Sequence, residues 1–239
     1  MHKGFSVGNR RFILHELREA IRAVEADVVC LQEVLGDHRE HSTRYEAWPD
    51  RAQYEFLADT IWHHHAYGKN AAYPAGHHGN ALLSKQPILE WTNEDVSTRK
   101  AERRGLLHCR LQDPDGGSQD WHVICTHLGL TGGQRRQQIQ MLAQRIKTHV
   151  PAHAPLVVAG DFNDWREVAH ELLASSCGLQ EVFIQAYGRA ARSFPVRFPL
   201  LRLDRIYTRN LQARVPQVLN GRPWSHLSDH AGLLVELQP

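Results

Sequence analysis

Two short apolar, β-branched runs, each closed by acids, organise this chain: Asp27-Val28-Val29-Cys30-Leu31 leading to Glu33, and Leu156-Val157-Val158-Ala159 leading to Asp161. Runs of this kind belong to strands buried on both faces, which need further layers on either side. The first run follows directly on residues 11–26, RFILHELREAIRAVEA. There Ile13, Leu14, Leu17, Ile21 and Val24 recur at helical spacing, with charges on the other face. An amphipathic helix therefore feeds a buried strand that ends at Glu33.

A second helix is predicted from Pro49, a good first-turn residue, with Tyr54, Leu57, Ala58 and Ile61 turned inward. Between residues 65 and 128 the pattern changes to strand-like segments, GNALLSK, ILEWTNEDVS, GLLHCRLQ and WHVICTHL, separated by Pro, Gly and Asp turns such as DPDGG at 113–117. These predict antiparallel hairpins. A helix over 133–149 lies between Gly132-Gly133 and Pro151, another lies near 165–174, and the remainder reads as strands ending in AGLLVEL. No repeat or linker interrupts the 239 residues, so they are read as a single domain. Helices outside two groups of mainly antiparallel strands make a layered α/β sandwich.

Composition excludes little. Lys and Arg number 28 against 26 Asp and Glu, so no polybasic tail announces nucleic acid. The 17 His make charge and solubility sensitive to pH below about 6.5. Cys30, Cys109, Cys125 and Cys177 form no CxxC pair, and three of them sit in strand-like runs as small hydrophobes, which fits a reducing compartment. No apolar run approaches the roughly 20 residues that span a bilayer, and MHKGFSVGNRR has no signal-like apolar region. A soluble, cytoplasmic monomer is expected.

The chemistry lies where strands stop. Glu33 follows a buried strand, where a carboxylate is costly unless hydrated, paired or bound to a cation. Gly160-Asp161-Phe162-Asn163-Asp164 permits close backbone approach and offers oxygen ligands and an amide donor, with Asp164 also suited to capping the next helix. Asp204 sits in the apolar segment Leu203-Asp204-Arg205-Ile206-Tyr207, and Ser228-Asp229-His230 precedes the last strand. An Asp paired with a His fixes its tautomer and raises its pKa, which suits it to bind or protonate a phosphoryl oxygen. Strand ends gathered at one edge of paired sheets bring such groups to a single pocket.

Taken in order, LQEV, GNALLS, the E-x-R-G of Glu102 to Gly105, THL, GDFND, LDRIY and the C-terminal SDH resemble the endonuclease/exonuclease/phosphatase superfamily (DNase I-like) over nearly the whole chain. The resemblance implies a four-layer α/β/β/α sandwich of two mixed sheets flanked by helices. It also implies divalent-metal-dependent hydrolysis of phosphate esters, with a phosphodiesterase or nuclease as the first specific expectation. Glu33 resembles the main Mg²⁺ or Mn²⁺ ligand, helped by Asp229, since hard cations take oxygen ligands. Asp161 resembles the group that orients or deprotonates the attacking water, and Asn163 the one that holds a phosphate oxygen. His230 steadied by Asp204, and His127 steadied by Glu102, are expected to flank the phosphorus from two sides and stabilise transition-state charge. Asn80 is expected near the cleft or in support of a turn.

Relatives of this type begin with a buried strand ending in an Asn at the metal site, ahead of a segment like His-Lys-Gly, whereas this sequence opens at Met1-His2-Lys3-Gly4. A strand upstream of Met1 is therefore expected. Two other functions compete. One is hydrolysis of a phospholipid or inositol-phosphate headgroup, for which Ser193 to Leu201, SFPVRFPLL, is placed to line the substrate entrance. The other is a catalytically silent binding domain. His63-His64-His65 and His77-His78 are expected as surface or loop residues, and Arg103-Arg104 and Arg135-Arg136 either as contacts to a phosphate backbone or as solvated faces.

Overall fold

The computed structural model describes residues 3–6, 11–117 and 119–239. The first half of the chain contains α1 (Leu14–Val24), β1 (Val28–His38), α2 (His41–Arg44), α3 (Gln53–Ala58), β2 (His64–Tyr73), β3 (Gly76–Ser84), β4 (Ile88–Asp95), β5 (Gly105–Leu111) and β6 (Trp121–His127). The second half contains α4 (Gly132–His149), β7 (Leu156–Asp161), α5 (Val168–Cys177), β8 (Gln180–Glu181), α6 (Val182–Tyr187), β9 (Asp204–Arg209), β10 (Gln212–Leu219), α7 (Trp224–Leu227) and β11 (Gly232–Gln238). Met1 and His2 lie outside the described residues, as does the strand expected ahead of them.

Six strands form one sheet in the order β4-β5-β6-β7-β9-β8, and β1-β3-β2 and β10-β11 form two further groups. β6 and β7 are parallel, the one such pair among the described strands, and α4 provides the crossover that a parallel pair requires. Side chains alternate across the sheet with period two. In β6, Ile124 faces a core with Leu142 and Ile146 of α4 and Leu173 of α5, while Val123 and Cys125 face the other way, toward Leu82 of β3 and Val235 of β11. A third core places Leu14, Leu17 and Ile21 of α1 and Leu57 of α3 on Leu31, Val34 and Leu83. Each such side chain contributes about 1.5–3 kcal/mol by leaving water. The result is helix, sheet, sheet, helix, the four-layer DNase I-like fold anticipated from the motifs.

Several local expectations change. β1 does not stop at Glu33. Its pairing with β3 shifts between Leu31 and Val34, and Glu33 takes a left-handed φ of 57°, so an extra residue is absorbed and the strand continues to His38. Val28, Val29 and Cys30 are half-buried rather than buried, because β1 is the outer strand of its group. The helix predicted from Pro49 begins later, at Gln53 with Ala52 as N-cap, and the short helix α2 was not anticipated. α4 starts where expected, fixed by a capping box between Thr131 and Gln134. Asp164 does not stand at the N-cap position of α5, which Glu167 occupies, but its carboxylate supplies the capping bond, accepting from Ala169 N in the first turn at 2.6 Å. His77 and His78 lie within β3, where Tyr67 Oη meets His77 Nδ1 at 2.9 Å and burial lowers His78 to a pKa of about 4.

Candidate active site

The ends of β6, β7 and β9 set three side chains in a row. His127 is the register partner of Asp161 across the parallel pair, and Asp161 is the partner of Asp204 across the antiparallel one. Residues level with one another on adjacent strands point to the same face. The backbone before Asp161 depends on glycine: Gly160 has φ 147°, and a Cβ there would collide with the Thr126 carbonyl oxygen. After Asp161 the chain turns through Asn163 at φ 50°, its N–H donating to Asp161 Oδ1 at 2.8 Å. This side-chain-to-backbone bond supports a left-handed residue that strands disfavour. The Asn163 amide donates to Leu128 O at 2.9 Å, tying the turn to the segment after β6.

His230 completes the group from the last loop. Its Nδ1 donates to Asp204 Oδ2 at 2.7 Å, and its Nε2 lies 4.0 Å from Asp161 Oδ2. His127 Nε2 lies 3.5 Å from the same Asp161 oxygen. Burial, reinforced by the Asp204 charge, lifts Asp161 to a pKa of about 7. Burial alone lowers His230, but the hydrogen bond and charge of Asp204, with the charges of Asp161 and Asp229, outweigh it and bring the ring to about 9. Burial and the Arg104 guanidinium hold His127 near 3, so it is a neutral imidazole. One buried acid thus sits between a neutral and a cationic imidazole.

Glu33 and Asp229 flank this row. The charge of Glu33 acts on His127 and that of Asp229 on His230. Together with Asp161 and Asp204 they make an acidic surround whose mutual repulsion a hard divalent cation relieves, and their carboxylate oxygens are donors of the type such a cation takes. Asp161, Asp204 and His230 also bring one donor atom each within 4.8 Å of the others. Both ring nitrogens of that histidine already face carboxylates, which suits the trio to handling protons rather than an ion.

The pairing expected between Glu102 and His127 does not form. Glu102 accepts instead from Arg104 Nη2 at 2.7 Å, Gln134 Nε2 at 2.7 Å and Leu130 N at 3.1 Å. Three donors occupy the carboxylate, which therefore fixes the loop between β6 and α4. Asn80 is buried in β3, and its amide reaches Gly105 O at 3.0 Å and Cys125 O at 3.4 Å, joining the two strand layers beneath the site.

The family model described as "Endonuclease/Exonuclease/phosphatase family" matches residues 13–230. The chain belongs to this family. The uncharacterized protein YbhP of Escherichia coli (strain K12) is 55% identical over 237 residues, covering 99% of this chain and 93% of its own length. Among solved structures, an endonuclease/exonuclease/phosphatase from Beutenbergia cavernae superposes with a TM-score of 0.76 at 20% identity, over 99% of this chain and 69% of that one. The D. rerio TDP2 structure complexed with a single-strand DNA product gives 0.70 at 18% identity, over 95% and 91% respectively.

Two of the arginines for which a solvated face was one reading are built into the loops beside the site instead. Arg104 donates from Nε to Leu128 O at 3.1 Å and pairs with Glu102, and Arg135 is buried against Leu130 O at 2.6 Å and the Asp164 carboxylate at 3.8 Å. The signal for Arg104 was present in E-x-R-G. Charge patterning alone leaves its place open because partners such as Leu128 O lie far away in sequence. Arg103 and Arg136 are exposed, in keeping with the solvated reading.

Proposed function

We propose that this chain is a divalent-metal-dependent phosphoesterase, hydrolysing its substrate by attack of water on phosphorus. The observation that carries the proposal is the single row His127, Asp161, Asp204 with His230 bonded across it. Asp161, held by the Asn163 N–H, accepts the proton of the attacking water. A carboxylate with a pKa of about 7 is matched to that task near neutral pH. His230, oriented by Asp204, donates a hydrogen bond to one phosphoryl oxygen, and neutral His127 meets another from the opposite side. Asn163, whose amide donates to Leu128 O at 2.9 Å, turns its second proton from the long 3.4 Å contact with Asp161 Oδ2 to a third. Donors fixed before the reaction stabilise charge as it develops on the phosphorane oxygens.

Glu33 and Asp229 would hold Mg²⁺ or Mn²⁺, which when bound would supply positive charge to the phosphate. Glu102 and Arg104 act through the loop they anchor, and Asn80 through the strands it joins, rather than on the substrate. The test is hydrolysis by the full chain with Mg²⁺ on plasmid DNA, RNA, a lipid phosphodiester and an inositol phosphate, beside Asp161→Ala and His230→Ala. Turnover of at least one substrate, lost in both variants, is expected. A folded protein without turnover on any of them is a silent binding domain, and the proposal fails.

A further inference from the structure

Six of the ten strongly exposed large apolar side chains among the described residues belong to two patches that border the site. One patch joins Leu130, from the loop after β6, to Trp165 and Val168, from the turn after β7, exposed by 66%, 50% and 48% around a cavity of about 340 Å³. The other carries Phe198, Leu200 and Leu201, exposed by 79%, 66% and 40%. Both are fastened to the reacting groups. Leu128, just before Leu130, accepts from the Asn163 amide, while the Phe194 ring lies 4.9 Å from that of His230 and Val196 N donates to Asp229 O at 2.7 Å. The patches also meet each other, through Arg202 and Glu167 at 3.6 Å and through Arg205 Nη2 and Asp164 O at 3.1 Å. Phe198 stands at the tip of a loop closed by reciprocal backbone bonds between Phe194 and Leu201, so its exposure belongs to an ordered turn.

Cations are interspersed with these apolar tips. Arg136, Arg166 and Arg197 are exposed, and none has a carboxylate partner among the described residues; Arg166 lies 4.6 Å above the Trp165 ring. An apolar rim of this extent on a polar protein marks an interaction surface. Its chemistry discriminates between partners. A nucleic-acid strand presents regularly spaced phosphates and selects a basic stripe with aromatic platforms, but here the protruding groups are mostly aliphatic and the chain's net charge is only +2. A lipid–water interface takes aliphatic and Phe tips at the acyl boundary, Trp at the headgroup level and Arg against lipid phosphates.

We infer that this rim docks on an anionic phospholipid surface, and that the ester presented to the site is a phospholipid headgroup. The inference rests on the phosphoesterase reading for its substrate but not for its surface. Among the described residues no helix is long and apolar enough to cross a membrane.

The test is sedimentation of the full chain with vesicles of equal parts phosphatidylcholine and phosphatidylglycerol, and with vesicles of phosphatidylcholine alone. Hydrolysis of water-soluble bis(4-nitrophenyl) phosphate is measured in parallel. Binding is expected to favour the anionic vesicles and to weaken at least about tenfold in a Phe198→Ser, Leu200→Ser double variant and in Arg136→Glu, Arg166→Glu. The soluble ester is expected to turn over within about twofold of the parent in both, since none of the four residues touches the reacting row. Absence of vesicle binding by the parent, unchanged binding by the variants, or tighter binding to an oligonucleotide lost in the same variants each overturns the inference. Loss of soluble-ester hydrolysis by the parent, with vesicle binding intact, defeats the catalytic reading alone.

Discussion

Asp161 and Asp204 stand level on neighbouring antiparallel strands, so two carboxylates share one small buried volume with His230 between them. The arrangement serves proton transfer at a cost in stability, because a carboxyl whose folded pKa is raised binds its proton more tightly folded than unfolded. For Asp161, raised from 3.8 to about 7 by burial and Asp204, stability without metal falls as pH rises through that interval. Asp161→Asn keeps an oxygen for the Asn163 N–H and removes the charge. The variant is expected to melt a few degrees higher than the parent at pH 8 in a chelator, while losing activity by about a thousandfold. Thermal unfolding monitored by circular dichroism, beside steady-state rates, checks both halves.

Replacing the second acid acts on the imidazole. In Asp204→Asn the 2.7 Å contact to His230 Nδ1 loses its charge, and with it the fixed tautomer and the raised pKa. A fall in kcat of about 10²–10³ is expected with KM changed much less, since the group acts on the transition state. A raised KM with kcat unchanged would assign Asp204 to substrate binding instead.

The backbone beneath the row offers a sharp test of position. Gly160→Ala places a methyl group against the Thr126 carbonyl at φ 147°, where neither the backbone nor the neighbouring strand can give. Destabilisation of about 2–3 kcal/mol or more is expected in urea unfolding. Gly133→Ala, at a position with open space, is expected to change stability by less than about 1 kcal/mol.

Away from the site, Glu181 caps α6 by accepting from Ile184 N at 2.7 Å, and burial lifts it from 4.5 to about 7. Its folded pKa is the higher one, so its contribution is fully present below about pH 4.5 and is lost as pH rises through 7. Glu181→Gln is expected to flatten this part of the stability profile, by up to about 3 kcal/mol between those limits. Denaturant midpoints measured across that range read the difference directly.

How much was legible in the sequence depends on whether the determining contacts are local. The strand that enters at Val28, the strand that ends at Asp161, the hairpins and α4 follow from runs of apolar residues and turn chemistry within ten or twenty positions. The bulge that carries β1 past Glu33 does not, because it exists only in register with Gly79 and Ala81 of β3. Asp204 and His230 were paired by motif order, and their bond is formed. Glu102 and His127 were paired by the same reasoning, yet Arg104, Gln134 and Leu130 N take the carboxylate first. Competition among donors from three elements is a tertiary property. The same holds for Arg135, whose burial no charge pattern reveals.

The most direct measurement is the initial rate of bis(4-nitrophenyl) phosphate hydrolysis by the full chain, with Mg²⁺ and with a chelator, for the parent and Asp161→Asn. The account predicts turnover by the parent that requires the cation and falls about a thousandfold in the variant. Equal rates in the chelator, or a variant as active as the parent, would contradict it.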